Sequence, residues 1–250
     1  MHVALFVTCL IDHMRPQAAH ATIALLQQAG CRVDVPLQQT CCGQPAYNNG
    51  DTDDARELAR HTIRILEDYD YVVIPSGSCA GMLILHYPQL FDAEPEWHSR
   101  ALALARNCYE LTRFLHEVVE YIPTARCDLR LSYHDSCSCR RELGILEQPR
   151  ELLRRIDGVE LLELDEQEVC CGFGGTFAVS YPEVSTRMVS NKTASVRDSG
   201  ATVLASADLG CLLNIAGRLS REGSPVRVFH IAEVLAGTID EPAIGEEAGR

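Results

Sequence analysis

Two adjacent-cysteine motifs, Cys41-Cys42-Gly43 and Cys170-Cys171-Gly172, each stand between a lone cysteine about one βαβ unit upstream and another downstream. The first set is Cys9, Cys41, Cys42 and Cys79, with steps of 32, 1 and 37; the second is Cys137, Cys170, Cys171 and Cys211, with steps of 33, 1 and 40. Equivalent positions are offset by 128, 129, 129 and 132 residues, so one half of the chain reads as a copy of the other. Eight of the twelve cysteines obey the repeat, which scattered core thiols would not do. The pattern confines the chain to two similar units, each gathering thiols from three separate segments.

The segments between the cysteines alternate in type. His2 to Thr8 is an apolar run suited to a buried strand that delivers Cys9 to its end. Pro16 suits a first helical turn, and Ala18, Ala21, Leu25 and Leu26 form an apolar stripe that stops at Gly30. A strand over Arg32 to Val35 leads to Cys41-Cys42-Gly43-Gln44-Pro45, which Gly and Pro mark as a loop. Residues 51 to 69 open with acidic residues and place Ala55, Leu58, Ala59, Thr62, Ile63 and Leu66 on one helical face. A strand at Tyr71 to Pro75 brings Cys79 to its end. The second half repeats the plan, with strands at 129–134, 160–164, 201–206 and 226–229, helices through Leu152 to Ile156 and from Pro182 to Arg197, and a short last helix to Leu235. Between the halves, 96–121 reads as one long amphipathic helix and 122–128 as a connector.

The expected fold is therefore α/β, two pseudo-symmetric, Rossmann-like parallel-sheet domains from an internal duplication, over 1–125 and 126–240, with a mobile acidic tail at 241–250. In open parallel sheets the carboxyl ends of the strands share one edge, where ligands bind, so three loops of each domain can converge their thiols there.

Adjacent thiols pack awkwardly, and a disulfide between neighbours strains the peptide, so both pairs call for a specific reason. The glycine that follows each pair permits backbone conformations that turn both thiols to one site. Four thiolates per set match the ligand count of a [4Fe–4S] cluster or of a closed zinc site. Structural zinc sites usually draw on closely spaced knuckles, whereas these ligands lie tens of residues apart, which tilts the choice towards iron and sulfide. Zinc in a scaffold protein and a thiol–disulfide enzyme using the vicinal cysteines stay open as alternatives.

The start of the chain reads as a first strand and not as a leader, and no run approaches the roughly 18 apolar residues of a membrane span. The expected compartment is the cytoplasm, where thiols stay reduced and cysteine patterns point to metal or redox chemistry. Net charge is −13, so attraction to nucleic acid is disfavoured. Neither a ferredoxin-type cysteine run nor a Gly-x-Gly-x-x-Gly opening a helix occurs, so the chain carries no sign of a second relay or of a nicotinamide or flavin fingerprint.

Outside the repeat, Cys31, Cys108 and Cys127 read as small buried hydrophobes. Cys139 and His134 flank Cys137 and are the auxiliary candidates, as alternate ligands or donors to a ligand sulfur. His13 near Cys9 is a weaker one. Gly174-Gly175 offers backbone amides to sulfide, Asn214 an orienting amide, and Arg187, Lys192 and Arg197 read as surface charges.

The paired motif resembles the CCG cysteine-rich, iron–sulfur-binding domain, found twice in one component of heterodisulfide reductase and twice in the glycolate oxidase iron–sulfur subunit. Further resemblance, to the lactate utilization branch of that family, is carried by Phe6-Val7-Thr8-Cys9, Gly30-Cys31-Arg32-Val33, Cys41-Cys42-Gly43-Gln44-Pro45-Ala46, Gly77-Ser78-Cys79, Glu94-Pro95-Glu96-Trp97, Cys170 to Phe177 and Cys211 to Ile215. It implies an iron–sulfur electron-transfer subunit, not active alone, of a complex oxidising L-lactate to pyruvate, with a ferredoxin-type iron–sulfur subunit as partner. The fuller family pattern ends each motif in Cys-x-x-Cys, but here those last positions are Met82 and Asn214. Four cysteines per site fit one ordinary [4Fe–4S] cluster per site, or a single occupied site, so one or two clusters per chain, better than the double-cubane form of the reductase-like members.

Overall fold

The computed structural model describes residues 1–246. It divides into two compact units, Met1–Val119 and the chain from Glu120 onward, whereas the sequence places the boundary after residue 125.

The first unit runs β1 (His2–Leu5), α1 (Cys9–Met14), α2 (Pro16–Gln28), β2 (Arg32–Asp34), α3 (Gln44–Asn48), α4 (Thr52–Leu66), β3 (Tyr71–Ile74), α5 (Gly77–Gly81), α6 (Tyr87–Leu90), α7 (Pro95–Asn107), β4 (Cys108–Glu110) and α8 (Leu111–Arg113). Its four strands make a parallel sheet in the order β2-β1-β3-β4, with Val3 opposite both Val33 and Tyr71 and Val72 opposite Cys108. Val3, Ala4, Leu5, Val72, Val73 and Ile74 are fully buried, so β1 and β3 read as unbroken apolar runs because both faces are covered by helices. Asp51 caps α4 by accepting from the Asp54 N–H at 3.2 Å, and Ala55, Ala59, Thr62, Ile63 and Leu66 bury its inner face.

The second unit runs β5 (Arg126–Tyr133), α9 (Glu147–Arg154), β6 (Asp157–Leu162), α10 (Phe177–Ser180), α11 (Pro182–Asp198), β7 (Val203–Ser206), α12 (Leu209–Arg221), β8 (Arg227–His230) and α13 (Ile231–Ala236). Its sheet is again all parallel, in the order β6-β5-β7-β8, the same topology as the first. The fold is α/β, two four-stranded parallel sheets with flanking helices.

Three sequence expectations change. The long helix over 96–121 is broken: α7 stops at Asn107, and Cys108–Glu110 turns into β4 against β3. The apolar residues on either side keep a helical spacing across the break, which hides a three-residue strand. The buried Glu110 ends it, its Oε2 accepting from the Thr112 N–H at 2.8 Å and the Arg113 N–H at 3.1 Å and so starting α8. The connector at 122–128 loses 126–128 to β5. The stretch expected as a mobile tail is held, as far as it is described, along β8: Ala243 and Ile244 are buried, the Ile244 N–H donates to the Val228 carbonyl at 2.9 Å, and Arg227 donates to the carbonyls of Ile239 and Glu241. Residues 247–250 of that expectation lie outside the described residues.

Candidate metal centres

In the first unit, Cys9 opens α1 after β1, Cys41-Cys42 sits in the loop after β2, and Cys79 lies in α5 after β3. All three segments leave the carboxyl edge of the sheet, where the strand order reverses between β1 and its neighbours. Gly43 follows the pair with φ +87°, a left-handed conformation that costs other residues about 1–2 kcal/mol. Ser76 caps α5 with its Oγ 3.4 Å from the Cys79 N–H. The Cys42 and Cys79 sulfurs are 3.3 Å apart, and Cys41 is within hydrogen-bonding reach of both Cys42 and Cys9. Hydrogen bonds from the Cys42 and Cys9 thiols hold the Cys41 sulfur well below the usual thiol range, with the Gly43 N–H adding to the effect. The bond to Cys41 pushes Cys9 up, and burial adds to it; Cys42 rises through Cys41, Cys79 and burial. Sulfurs this close share protons among themselves and ionise together only when a cation stands among them.

The second unit repeats this arrangement. Cys137 follows β5, Cys170-Cys171 follows β6, and Cys211 lies in the first turn of α12 after β7. The Gly172 N–H donates to Cys170 Sγ at 3.3 Å, and Cys170 is held well below the thiol range by Cys137 and Cys171. Cys171 is within reach of Cys211 and is pushed up, as is Cys137. In each unit the four sulfurs are linked neighbour to neighbour, Cys9 to Cys41 to Cys42 to Cys79 and Cys137 to Cys170 to Cys171 to Cys211. The amides that meet sulfur here are those of Gly172 and Phe173, just before the Gly174-Gly175 pair singled out by sequence.

Backbone supports differ between the units. The buried Tyr87 hydroxyl donates to the Cys42 carbonyl at 2.8 Å, while the Asn214 side-chain amide donates to the Cys171 carbonyl at 2.9 Å. Asn214 therefore orients the pair from the position where the fuller family pattern has a cysteine; its counterpart Met82 is fully buried. Tyr87 escapes a sequence reading because nothing local ties it to a loop 45 residues earlier.

Lys192 is a correction. It is buried, not a surface charge, with Nζ donating to the Glu166 carbonyl at 2.5 Å, and burial lowers its pKa against the pull of Glu166, Cys171 and Asp135. Its spacing to Val189 and Val196 puts it on the inner face of α11, a signal present in the sequence. Arg187 is exposed and Arg197 pairs with Glu222, as surface charges do. Arg141 also acts on Cys137, so two cations face the second quartet.

His134 is 1% exposed, and one of its ring nitrogens lies with the sulfurs of Cys171 and Cys211 in a group whose ligand atoms are all within 4.8 Å of one another. Burial, and then Lys192, lowers its pKa to about 3, so the imidazole is neutral. Cys139 is buried, its N–H donating to Ser136 Oγ at 3.2 Å. His13 is exposed on α1. Cys31, Cys108 and Cys127 sit before β2, in β4 and in β5, with burial raising each thiol's pKa. The Glu94-Pro95-Glu96-Trp97 motif works elsewhere: Arg60, Arg64 and Arg100 stack around Trp97, and Glu94 takes the Arg60 guanidinium at 2.6 Å, clamping α7 to α4.

As a donor set, the converging sulfurs fit a cluster or a thiophilic metal. The CCG cysteine-rich domain matches twice, over residues 3–84 and 131–216, and each match encloses one quartet. The chain belongs to the CCG cysteine-rich domain family. Relatives in it include Lactate utilization protein A of Geobacillus sp. (strain WCH70), 49% identical over 236 residues, 94% of this chain and 99% of that protein. Lactate utilization protein A of Exiguobacterium sp. (strain ATCC BAA-1283 / AT1b) is 47% identical over 237 residues, covering 94% and 96%. The fold is shared with a hypothetical protein from Helicobacter pylori, at a TM-score of 0.65 and 15% identity; the match covers 98% of this chain and 49% of that one. Both CCG matches stop short of the fourth strand, so β4 and β8 lie outside the family's repeated segment. Among the described residues, no helix is long and apolar enough to cross a membrane.

Proposed function

We propose that this chain is the electron-carrying iron–sulfur component of a multi-protein system that oxidises L-lactate to pyruvate. Cys9, Cys41, Cys42 and Cys79 hold one [4Fe–4S] cluster, and Cys137, Cys170, Cys171 and Cys211 hold another. The supporting observation is the convergence of two separate thiol quartets in a family whose curated relatives are called Lactate utilization protein A. Lactate oxidation releases two electrons and two protons, and two one-electron centres could accept both electrons. The clusters supply the redox chemistry; the protein ligates them, and the Gly43 and Gly172 amides, Arg141 and Lys192 stabilise negative charge on sulfur. The partner is a ferredoxin-type iron–sulfur subunit, and the complex works in the reducing cytoplasm.

Zinc in the second site is the rival that an observation favours, because His134 beside Cys171 and Cys211 makes a Cys/His set of the kind zinc takes. Deleting the gene and testing growth on L-lactate as sole carbon source decides whether the chain belongs to lactate oxidation. Growth should be lost, returning with the wild-type chain or Cys108→Ser and not with Cys42→Ser or Cys171→Ser. Normal growth of the deletion strain would overturn the proposal.

A further inference from the structure

The two sites differ three residues before their first cysteine, where the first has Phe6 and the second His134. The positions are structurally equivalent. The Phe6 N–H donates to the Val73 carbonyl at 3.0 Å and the His134 N–H to the Ala205 carbonyl at 2.8 Å, each on the third residue of the neighbouring strand. Both side chains are buried. A phenyl ring suits that setting, but a buried imidazole needs partners for two ring nitrogens, and neither Nδ1 nor Nε2 of His134 has a hydrogen-bonding partner among the described residues. Leaving both unsatisfied is costly, and the other unit fills the equivalent position with a phenylalanine that has no such need. The ring instead lies in one group with the sulfurs of Cys171 and Cys211, all ligand atoms within 4.8 Å of one another.

We propose that His134 is an imidazole ligand of the metal centre in the second site, alongside Cys171 and Cys211 and in place of one thiolate of the set named above, Cys137 or Cys170, so that the chain carries one all-thiolate centre and one mixed centre. This rests on the reading of the quartets as metal centres. A neutral nitrogen donor places less negative charge on a cluster than a thiolate does, which raises its reduction potential. The two centres would then be unequal, and the first electron to arrive would settle on the second.

The test uses the full chain carrying Cys42→Ser, which disables the first site, reconstituted with iron and sulfide without oxygen and studied by electron–nuclear double resonance. With 15N-labelled histidine, the paramagnetic cluster should show a strong nitrogen coupling that changes with the isotope and is absent in the added variant His134→Ala. His134→Cys should keep the iron and lose the coupling, which separates ligation from a folding defect. A cluster signal with no coupling to labelled histidine overturns the proposal. If the second site takes zinc instead, a nitrogen neighbour in its X-ray absorption supports His134 as ligand while overturning the cluster reading there, and an all-sulfur shell overturns both. A second site that holds no metal overturns the proposal, and a wild-type chain that holds none overturns the reading beneath it.

Discussion

Replacing Arg150 by methionine should destabilise the second unit by about 3–5 kcal/mol, the range for removing one partner of a buried ion pair. Arg150 is 4% exposed and grips Asp135 with two hydrogen bonds, Nη1 to Oδ1 at 2.8 Å and Nη2 to Oδ2 at 2.7 Å. It also donates from Nε to Glu163 at 3.0 Å and from Nη1 to the Leu146 carbonyl at 2.7 Å. The side chain of Asp135 is 0% exposed and that of Glu163 39%, so nearly all the penalty comes from stranding the Asp135 carboxylate. Arg140, whose Nη1 is 3.7 Å from Asp135, offsets part of it and favours the lower end of the range. Methionine keeps the aliphatic bulk, so the loss is electrostatic rather than a cavity. Asp135 stands two residues before Cys137, which ties the ion pair to the loop that delivers the first ligand of the second quartet. The only tryptophan, Trp97, lies in the first unit, so fluorescence would miss the change; hydrogen exchange resolved along the chain reports it. Adding Asp135→Asn to Arg150→Met should recover a large part of the loss, because the stranded charge is gone. A change below about 1 kcal/mol in Arg150→Met, or no recovery in the double variant, would refute the reasoning, since such a pair would be no stronger than an exposed one.

Alanine at the two positive-φ glycines should act unequally. Gly43→Ala meets only ordinary contacts, the nearest being Leu58 Cβ at 3.5 Å, and should cost about 1–2 kcal/mol from its backbone alone. Gly172→Ala adds a Cβ 2.9 Å from Met188 Cβ and from the Ser185 carbonyl oxygen, so it should cost roughly 1–3 kcal/mol more and lower the melting temperature further. Tyr87→Phe and Asn214→Leu each remove the donor to a cysteine carbonyl, worth about 1 kcal/mol, and should speed iron loss to a chelator from the first and the second site respectively.

The gathering of the eight repeat cysteines beyond the strand ends and the paired sheets are legible in the sequence because each segment that carries them follows a strand, and a parallel sheet sends every strand end to one edge. The strand β4 is not, since three residues, Cys108-Tyr109-Glu110, carry no period of their own between two helical stretches. Only the neighbouring β3 makes them a strand, which is a long-range fact. Lys192 differs from its surface expectation for another reason: its charge suggests the surface, but its place on the buried face of α11 lets its ammonium donate to the Glu166 carbonyl. His134 stands close to Cys137 in sequence, but the sulfurs grouped with its ring in the fold are those of Cys171 and Cys211, which follow β6 and β7. The hold on residues 239–244 is hidden because Arg227 binds the carbonyls of Ile239 and Glu241, which no side-chain pattern announces.

The iron and acid-labile sulfide content of the chain purified without oxygen tests the central claim most directly, measured together with Cys42→Ser, Cys171→Ser and the double variant. Two four-iron centres give about eight irons and eight sulfides per wild-type chain, about four of each in either single variant and none in the double. Zinc without sulfide, or iron that stays unchanged when Cys42 and Cys171 are both removed, would contradict it.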